Sequence, residues 1–244
     1  MDKFLTDLGE VFSNPKYLEE FAAGTWETLY STVLATVLAY LIGLVLAVLL
    51  VAGEEGGVRP LPTVMMKGLN VLINILRSVP FLILMLFVLP LSMLILGTQI
   101  GTAASIPPLV VAAAPFVARL LETSLREMDR GVLEAAQSMG CTPFQIVWKV
   151  MLPECLPGLA SNFTTAFITI LGYGAMAGAI GGGGLGRIAM NYGYHRNNLA
   201  VCLVATVLIV ILVQIAQSAG SYAVARMDRR SRSVPKRRGR KKSA

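Results

Sequence analysis

Four long stretches of this 244-residue chain carry no Asp, Glu, Lys, Arg or His, and they constrain its fold more than any other feature. A helix needs about 20 apolar residues to cross the hydrocarbon core of a bilayer. Only 14% of the residues are charged, whereas a soluble domain carries about 25%. The pattern therefore predicts an all-α polytopic membrane protein. The uncharged stretches cover residues 28–53, 78–118, 155–186 and 197–225.

The stretch 78–118 is too long for one crossing, and the turn-forming residues Gly97–Gly101 interrupt it. We therefore predict five transmembrane helices, at residues 28–52, 70–97, 102–121, 158–180 and 198–225. The predicted organisation is an extracytoplasmic segment at 1–27, a transmembrane domain at 28–225 containing a loop at 122–157, and a basic tail at 226–244.

Lysine and arginine in the connecting segments predict the orientation of these helices. Cytoplasmic loops of membrane proteins carry an excess of both residues. With the N-terminus outside and the C-terminus in the cytoplasm, 17 of the 21 Lys and Arg residues lie inside. Ten of them fall in the basic tail, where binding to anionic membrane lipids is a better interpretation than binding to nucleic acid.

The loop between the third and fourth predicted helices has a specific pattern of residues. Gly140 stands where a left-handed helix C-cap is expected, a conformation that glycine adopts at little cost. Thr142, Pro143 and Gln145 have the form of a capping box that begins a second short helix. We expect that helix to end at Leu152-Pro153, because a residue before proline avoids the helical region.

This loop resembles the EAA loop of ABC importer permeases, whose pattern it matches except that Val150 replaces an isoleucine. The resemblance implies an ABC type I importer permease fold and a loop that docks onto a separate ATP-hydrolysing subunit. An amphipathic loop lying at the lipid headgroups is the alternative interpretation. The residues assigned to ATPase coupling are Glu134, Ala135, Ala136, Met139, Gly140, Phe144, Leu152 and Pro153.

Other motifs resemble the methionine-uptake permeases of the ABC family, over residues 26–224. They are Arg77–Phe81, Ala113–Arg119, Gly178–Gly186 and Tyr192–Tyr194. The resemblance implies import of L- or D-methionine across the bacterial inner membrane, with other amino acids left open. It also implies a homodimer that works with two ATP-binding subunits and an extracytoplasmic solute-binding protein.

The chain itself lacks the motif that holds ATP. Gly181–Gly186 is followed by Arg187 and Ile188, where a phosphate-binding loop needs Lys and Ser or Thr. No nucleophile–base pair and no metal-ligand spacing is evident in the sequence, so we expect no catalytic residue, no metal and no cofactor other than the ATP of a partner subunit. An ion-driven secondary transporter is less favoured, because it would need a charged residue in mid-membrane.

The fourth predicted helix is the best candidate for lining the solute path. Its polar side chains are costly in hydrocarbon and are expected to face the interior of the bundle. Met176 lies one helical turn beyond Tyr173, and its flexible thioether could close the path as a gate. The predicted path and gate residues are Asn162, Thr165, Thr169, Tyr173 and Met176.

Overall fold

The computed structural model describes residues 2–227, and within that range every regular element is a helix. Most of the predicted basic tail, residues 228–244, lies outside the described residues. Short 3₁₀ or π segments continue three of the helices, at Gly178–Ile180, Val147–Met151 and Ala189–Tyr194. The α-helices are α1 (Asp2–Ser13), α2 (Pro15–Ala52), α3 (Thr63–Ser78), α4 (Phe81–Leu96), α5 (Thr102–Arg126), α6 (Arg130–Ser138), α7 (Pro143–Ile146), α8 (Leu152–Glu154), α9 (Leu156–Ala177), α10 (Gly184–Ile188) and α11 (Leu199–Met227).

Helix α2 begins well before the predicted residue 28. Asn14 caps it by accepting a 3.1 Å hydrogen bond from the backbone N–H of Lys16, and Pro15 occupies the first turn. Proline is favoured there because its missing N–H would have no partner in the helix anyway. The predicted start followed the last charged residue, Glu27, but a charge ends the apolar stretch without ending the helix.

The second predicted helix, 70–97, is wrong as a single element. The structure has two helices there, α3 and α4, which meet at an angle of 109°. Val79 between them has extended angles, φ −78° and ψ 129°. Pro80 causes the break, since it has no N–H to donate and pushes the preceding residue out of the helical region.

Five crossings can be counted once α3 and α4 are taken together. Within residues 2–227, four helices are long and apolar enough to span a membrane, and the bent pair supplies the fifth. At one end of the bundle, Arg126 of α5 bonds Glu54 just after α2 at 2.6 Å. At the other end, the N–H of Gly101 donates to the carbonyl of Gly181 at 2.8 Å. The prediction of five membrane helices is therefore confirmed.

The core lies where α2 crosses α5. Small residues of α2 let the two backbones approach closely, as is common between membrane helices. A Cβ added to Gly43 would lie 2.7 Å from Cγ1 of Val117. The buried residues at this crossing include Ala35, Ala39 and Ala47 of α2 and Leu109, Ala113, Val117 and Leu121 of α5.

Candidate coupling loop and solute path

The loop after α5 folds as its sequence predicts at the first corner. Asp129 caps α6 by accepting a 2.8 Å hydrogen bond from the N–H of Gly131. Gly140, just beyond the end of this helix, has φ 77°. An L side chain rarely adopts that left-handed conformation, so Gly140 allows the sharp turn between α6 and α7.

The capping box at the start of α7 is also present. The N–H of Thr142 donates to Oε1 of Gln145 at 2.9 Å, and the N–H of Gln145 donates to Oγ1 of Thr142 at 3.4 Å. Pro143 occupies the first turn. These reciprocal bonds satisfy two backbone donors that a helix start would otherwise leave free.

The predicted helix end at Leu152-Pro153 is wrong. Leu152 keeps helical angles, φ −64° and ψ −45°, and the chain first departs from them at Cys155, with ψ 0°. A π turn at Val147–Met151 explains the difference: the N–H of Leu152 bonds the carbonyl of Val147, five residues earlier. Pro153 then falls on the first turn of α8, where a missing N–H costs little.

A small apolar core holds the loop against the bundle. Ala136, Ile146 and Met151 are buried together, and Val51 of α2 and Met128 pack against them. Of the eight predicted coupling residues, Ala136 therefore has a structural role inside the loop. The loop is therefore a folded unit that rests on the end of α2.

The loop also carries three large exposed apolar side chains, Met139, Phe144 and Trp148, which are called the aromatic patch below. Their side chains are 75%, 72% and 58% exposed. The rings of Phe144 and Trp148 lie 6.0 Å apart, one helical turn from each other. Aromatic residues and methionine are enriched at protein interfaces, and neighbouring exposed apolar side chains, such as these two rings, mark binding sites.

Trp148 was missed by the sequence reasoning. Its position four residues after Phe144 could have indicated that both side chains lie on one helix face. The other predicted coupling residues differ in their exposure. Glu134, Ala135, Gly140 and Pro153 are exposed, and Leu152 is half-buried.

The predicted path residues on α9 fall into two groups. Thr165 and Met176 are exposed, as is Gly172 between them, and these residues share one side of the helix. Thr169 is half-buried and its hydroxyl donates to the carbonyl of Thr165 at 2.9 Å. Thr165 also lines a cleft with Gln217 and Ser221 of α11, and the role of this face in the path stays a prediction.

Asn162 and Tyr173 are engaged in contacts with other helices. The Asn162 amide donates to the carbonyl of Leu120 at 2.9 Å and to Oγ of Ser124 at 2.8 Å, which ties α9 to α5. Tyr173 stacks on Phe81 at the start of α4, with ring centroids 4.0 Å apart. Whether either side chain meets the solute also stays a prediction.

A network of charges near the loop was not predicted. Glu122 of α5 is buried, and its two carboxylate oxygens accept hydrogen bonds from Arg119 at 2.8 Å and Arg126 at 3.0 Å. Arg119 also donates to Asn70 and Asn74 of α3, at 2.8 and 3.0 Å. The spacing of three and four residues along α5 was the available signal. The network joins α3 and α5 beside the coupling loop.

The glycine-rich segment at the far end of the bundle is a packed turn. The N–H of Gly184 donates to Oε2 of Glu27 at 2.7 Å, and that of Leu185 donates to Oγ1 of Thr28 at 2.9 Å. A Cβ added to Gly186 would lie 2.7 Å from Cα of Ala175. Glycine is therefore required here by close backbone packing against α2 and α9.

The chain is similar to known transport proteins over most of its length. A family model described as binding-protein-dependent transport system inner membrane component matches residues 61–229. The probable D-methionine transport system permease protein MetI of Vibrio cholerae is 47% identical over 84% of this chain and 91% of its own. The methionine import system permease protein MetP of Bacillus subtilis is 48% identical over 65% of this chain and 71% of its own.

The fold matches a solved transporter as well. A structure of the MetNI methionine ABC transporter in inward-facing conformations superposes with a TM-score of 0.83 and 44% identity, over 85% of this chain and 96% of the other. The family match, the identities and the shared fold agree with one another and with the loop pattern. The chain therefore belongs to the family of inner membrane components of binding-protein-dependent transport systems.

Proposed function

We propose that this chain is the permease subunit of an ATP-driven importer that carries methionine, as L- or D-isomer, into the cell. The observation that carries the proposal is the aromatic patch on a folded loop that matches the EAA pattern. Similarity to proteins named as methionine permeases supports the choice of solute. In this proposal the N-terminus lies outside and the loop faces the cytoplasm, as the distribution of Lys and Arg favours.

The aromatic patch is proposed to dock onto a separate ATP-hydrolysing subunit. Such a contact would bury Met139, Phe144 and Trp148, which otherwise expose large apolar surfaces to water. Aromatic anchors of this kind dominate the binding free energy of protein interfaces. Because the loop core rests on Val51 and Met128, a movement of the docked subunit would be passed directly to α2 and α5.

A second copy of the chain is proposed to close the solute path. The uncovered face of α9, with Thr165, Gly172 and Met176, needs a neighbour in the membrane. Two-fold association is the commonest way to provide one, and two permeases would recruit two ATPase subunits.

ATP would bind more tightly to the closed ATPase pair, so that it shifts the permease between inward-open and outward-open states.

Uptake of radiolabelled L-methionine tests the proposed solute. Cells that lack their own methionine importers should gain uptake when they express this chain together with the ATPase subunit and the binding protein of a methionine importer. We expect excess unlabelled L- or D-methionine to suppress that uptake to background, because either isomer competes for one path. A non-hydrolysing ATPase variant is the control. Labelled methionine uptake no higher than in cells without this chain, together with uptake of another labelled amino acid, would contradict the proposed solute.

A further inference from the structure

Two neighbouring clefts lie where α3 breaks and α4 begins. The first, of about 330 Å³, is lined by residues that include Arg77, Val79, Phe81, Leu84, Phe116 and Tyr173. The second, of about 410 Å³, is lined by Arg77 and Phe116 again, and by Arg119 and Glu122. Arg77 and Phe116 line both clefts, and each volume is in the usual range for small-molecule sites, roughly 300–1,000 Å³.

The first cleft has a large apolar wall. Phe81 and Tyr173 stack with their ring planes 10° apart, and Phe116 of α5 lies beside the same space. The 109° bend at Val79-Pro80 brings the last turn of α3 and the first turn of α4 onto one cleft. The cleft therefore combines aromatic side chains with polar groups, among them Arg77 and Ser78, a combination that suits a small solute with an apolar part and a charged part.

Arg77 supplies a positive charge to the lining of both clefts. The other two arginines of these clefts are neutralised, because Arg119 pairs with Glu122 and Arg126 pairs with both Glu122 and Glu54. Within residues 5–227, Arg77 makes no ion pair with any carboxylate. A guanidinium fits a carboxylate or a phosphate through paired N–H donors.

We propose that these clefts form a solute site within the permease, in which Arg77 binds the α-carboxylate of the transported amino acid. The apolar side chain of the solute then packs against Phe81, Phe116 and Tyr173. This inference rests on the proposed function and adds a second point of selection, after the external binding protein. Tyr173 lies on α9, one turn from Met176, so the site adjoins the predicted path.

Cross-linking with photo-methionine, a diazirine analogue, tests the site in the purified permease–ATPase complex in nanodiscs without binding protein. The same wild-type complex, reconstituted in proteoliposomes with its binding protein and ATP, must first import methionine, so that failure of the proposed function is seen separately. We then expect cross-links in α4 or α9 that L-methionine competes away and methioninol, which lacks the carboxylate, does not. Arg77→Gln should weaken capture about tenfold or more, as expected for a lost charged hydrogen bond, and Arg77→Lys, which keeps the charge but not the paired donors, should weaken it less.

Lys67→Gln is the matched control, since it removes an exposed positive charge of the same helix outside both clefts. A lipid phosphate is the other anion that Arg77 could hold. Comparing nanodiscs of phosphatidylcholine alone with nanodiscs of phosphatidylcholine and phosphatidylglycerol distinguishes binding of the solute carboxylate from binding of a lipid phosphate. The proposal would be overturned if Arg77→Gln left photo-methionine cross-linking unchanged, or if methioninol competed as well as methionine. It would also be overturned if the cross-links fell outside the cleft, or if phosphatidylglycerol abolished them.

Discussion

A chain with both Phe144 and Trp148 replaced by alanine is expected to fold, insert and lose its ATPase subunit. Both side chains are largely exposed, so removing them costs the isolated permease little. Each is the kind of aromatic anchor whose loss costs about 2 kcal/mol of binding free energy. Together they would weaken docking by about 4 kcal/mol, roughly a thousandfold. Methionine uptake should fall to background with it.

Co-purification of the ATPase with the tagged permease measures this effect. Phe87→Ala is the matched control, because Phe87 is 78% exposed on α4, in a crossing helix away from the loop. The control should retain a full complement of ATPase at the same level of permease in the membrane. An equal yield of ATPase from the double variant and the control would show that the aromatic patch is not the docking surface.

Replacing Glu122 by alanine is expected to destabilise the permease more than any change at an exposed charge. The substitution leaves Arg119 without its carboxylate in a site where only 21% of its side chain is exposed. Breaking a buried ion pair by removing one partner costs about 3 kcal/mol or more. Since the network also joins α3 to α5, the melting temperature of the detergent-purified protein should fall clearly.

Glu54→Ala is the comparison for that measurement. Glu54 pairs with Arg126, but its side chain is 50% exposed, and exposed ion pairs contribute about 1 kcal/mol at most. We therefore expect only a small decrease in melting temperature for this variant. Equal decreases for Glu122→Ala and Glu54→Ala would contradict the interpretation of Glu122 as the buried centre of the network.

The features that sequence predicted well depend on composition or on local chemistry. Five crossings follow from uncharged stretches longer than a bilayer requires. The corner at Gly140 and the capping box at Thr142 follow from conformational preferences and hydrogen bonds that involve only neighbouring residues. Such features are fixed before the chain packs, so they can be read without a structure.

The features that were missed depend on packing between distant segments. Pro80 and Pro153 each follow an apolar residue, yet Pro80 breaks its helix and Pro153 does not, because a π turn precedes only the second. The partners of Glu122 come from α5 itself and, through Arg119, from α3. A single sequence shows the charges but not which helices bring them together.

The central claim is that the loop between α5 and α9 faces the cytoplasm and contacts a separate ATPase. Its most direct test is labelling of Met139→Cys, at a position 75% exposed, with a membrane-impermeant maleimide in a chain whose own cysteines are replaced. Tyr194→Cys, at an exposed position on the opposite end, is the control. We expect labelling of Met139→Cys only in inside-out vesicles, and protection when the ATPase is present, while Tyr194→Cys reacts in intact spheroplasts. Reaction of Met139→Cys in intact spheroplasts would contradict the account.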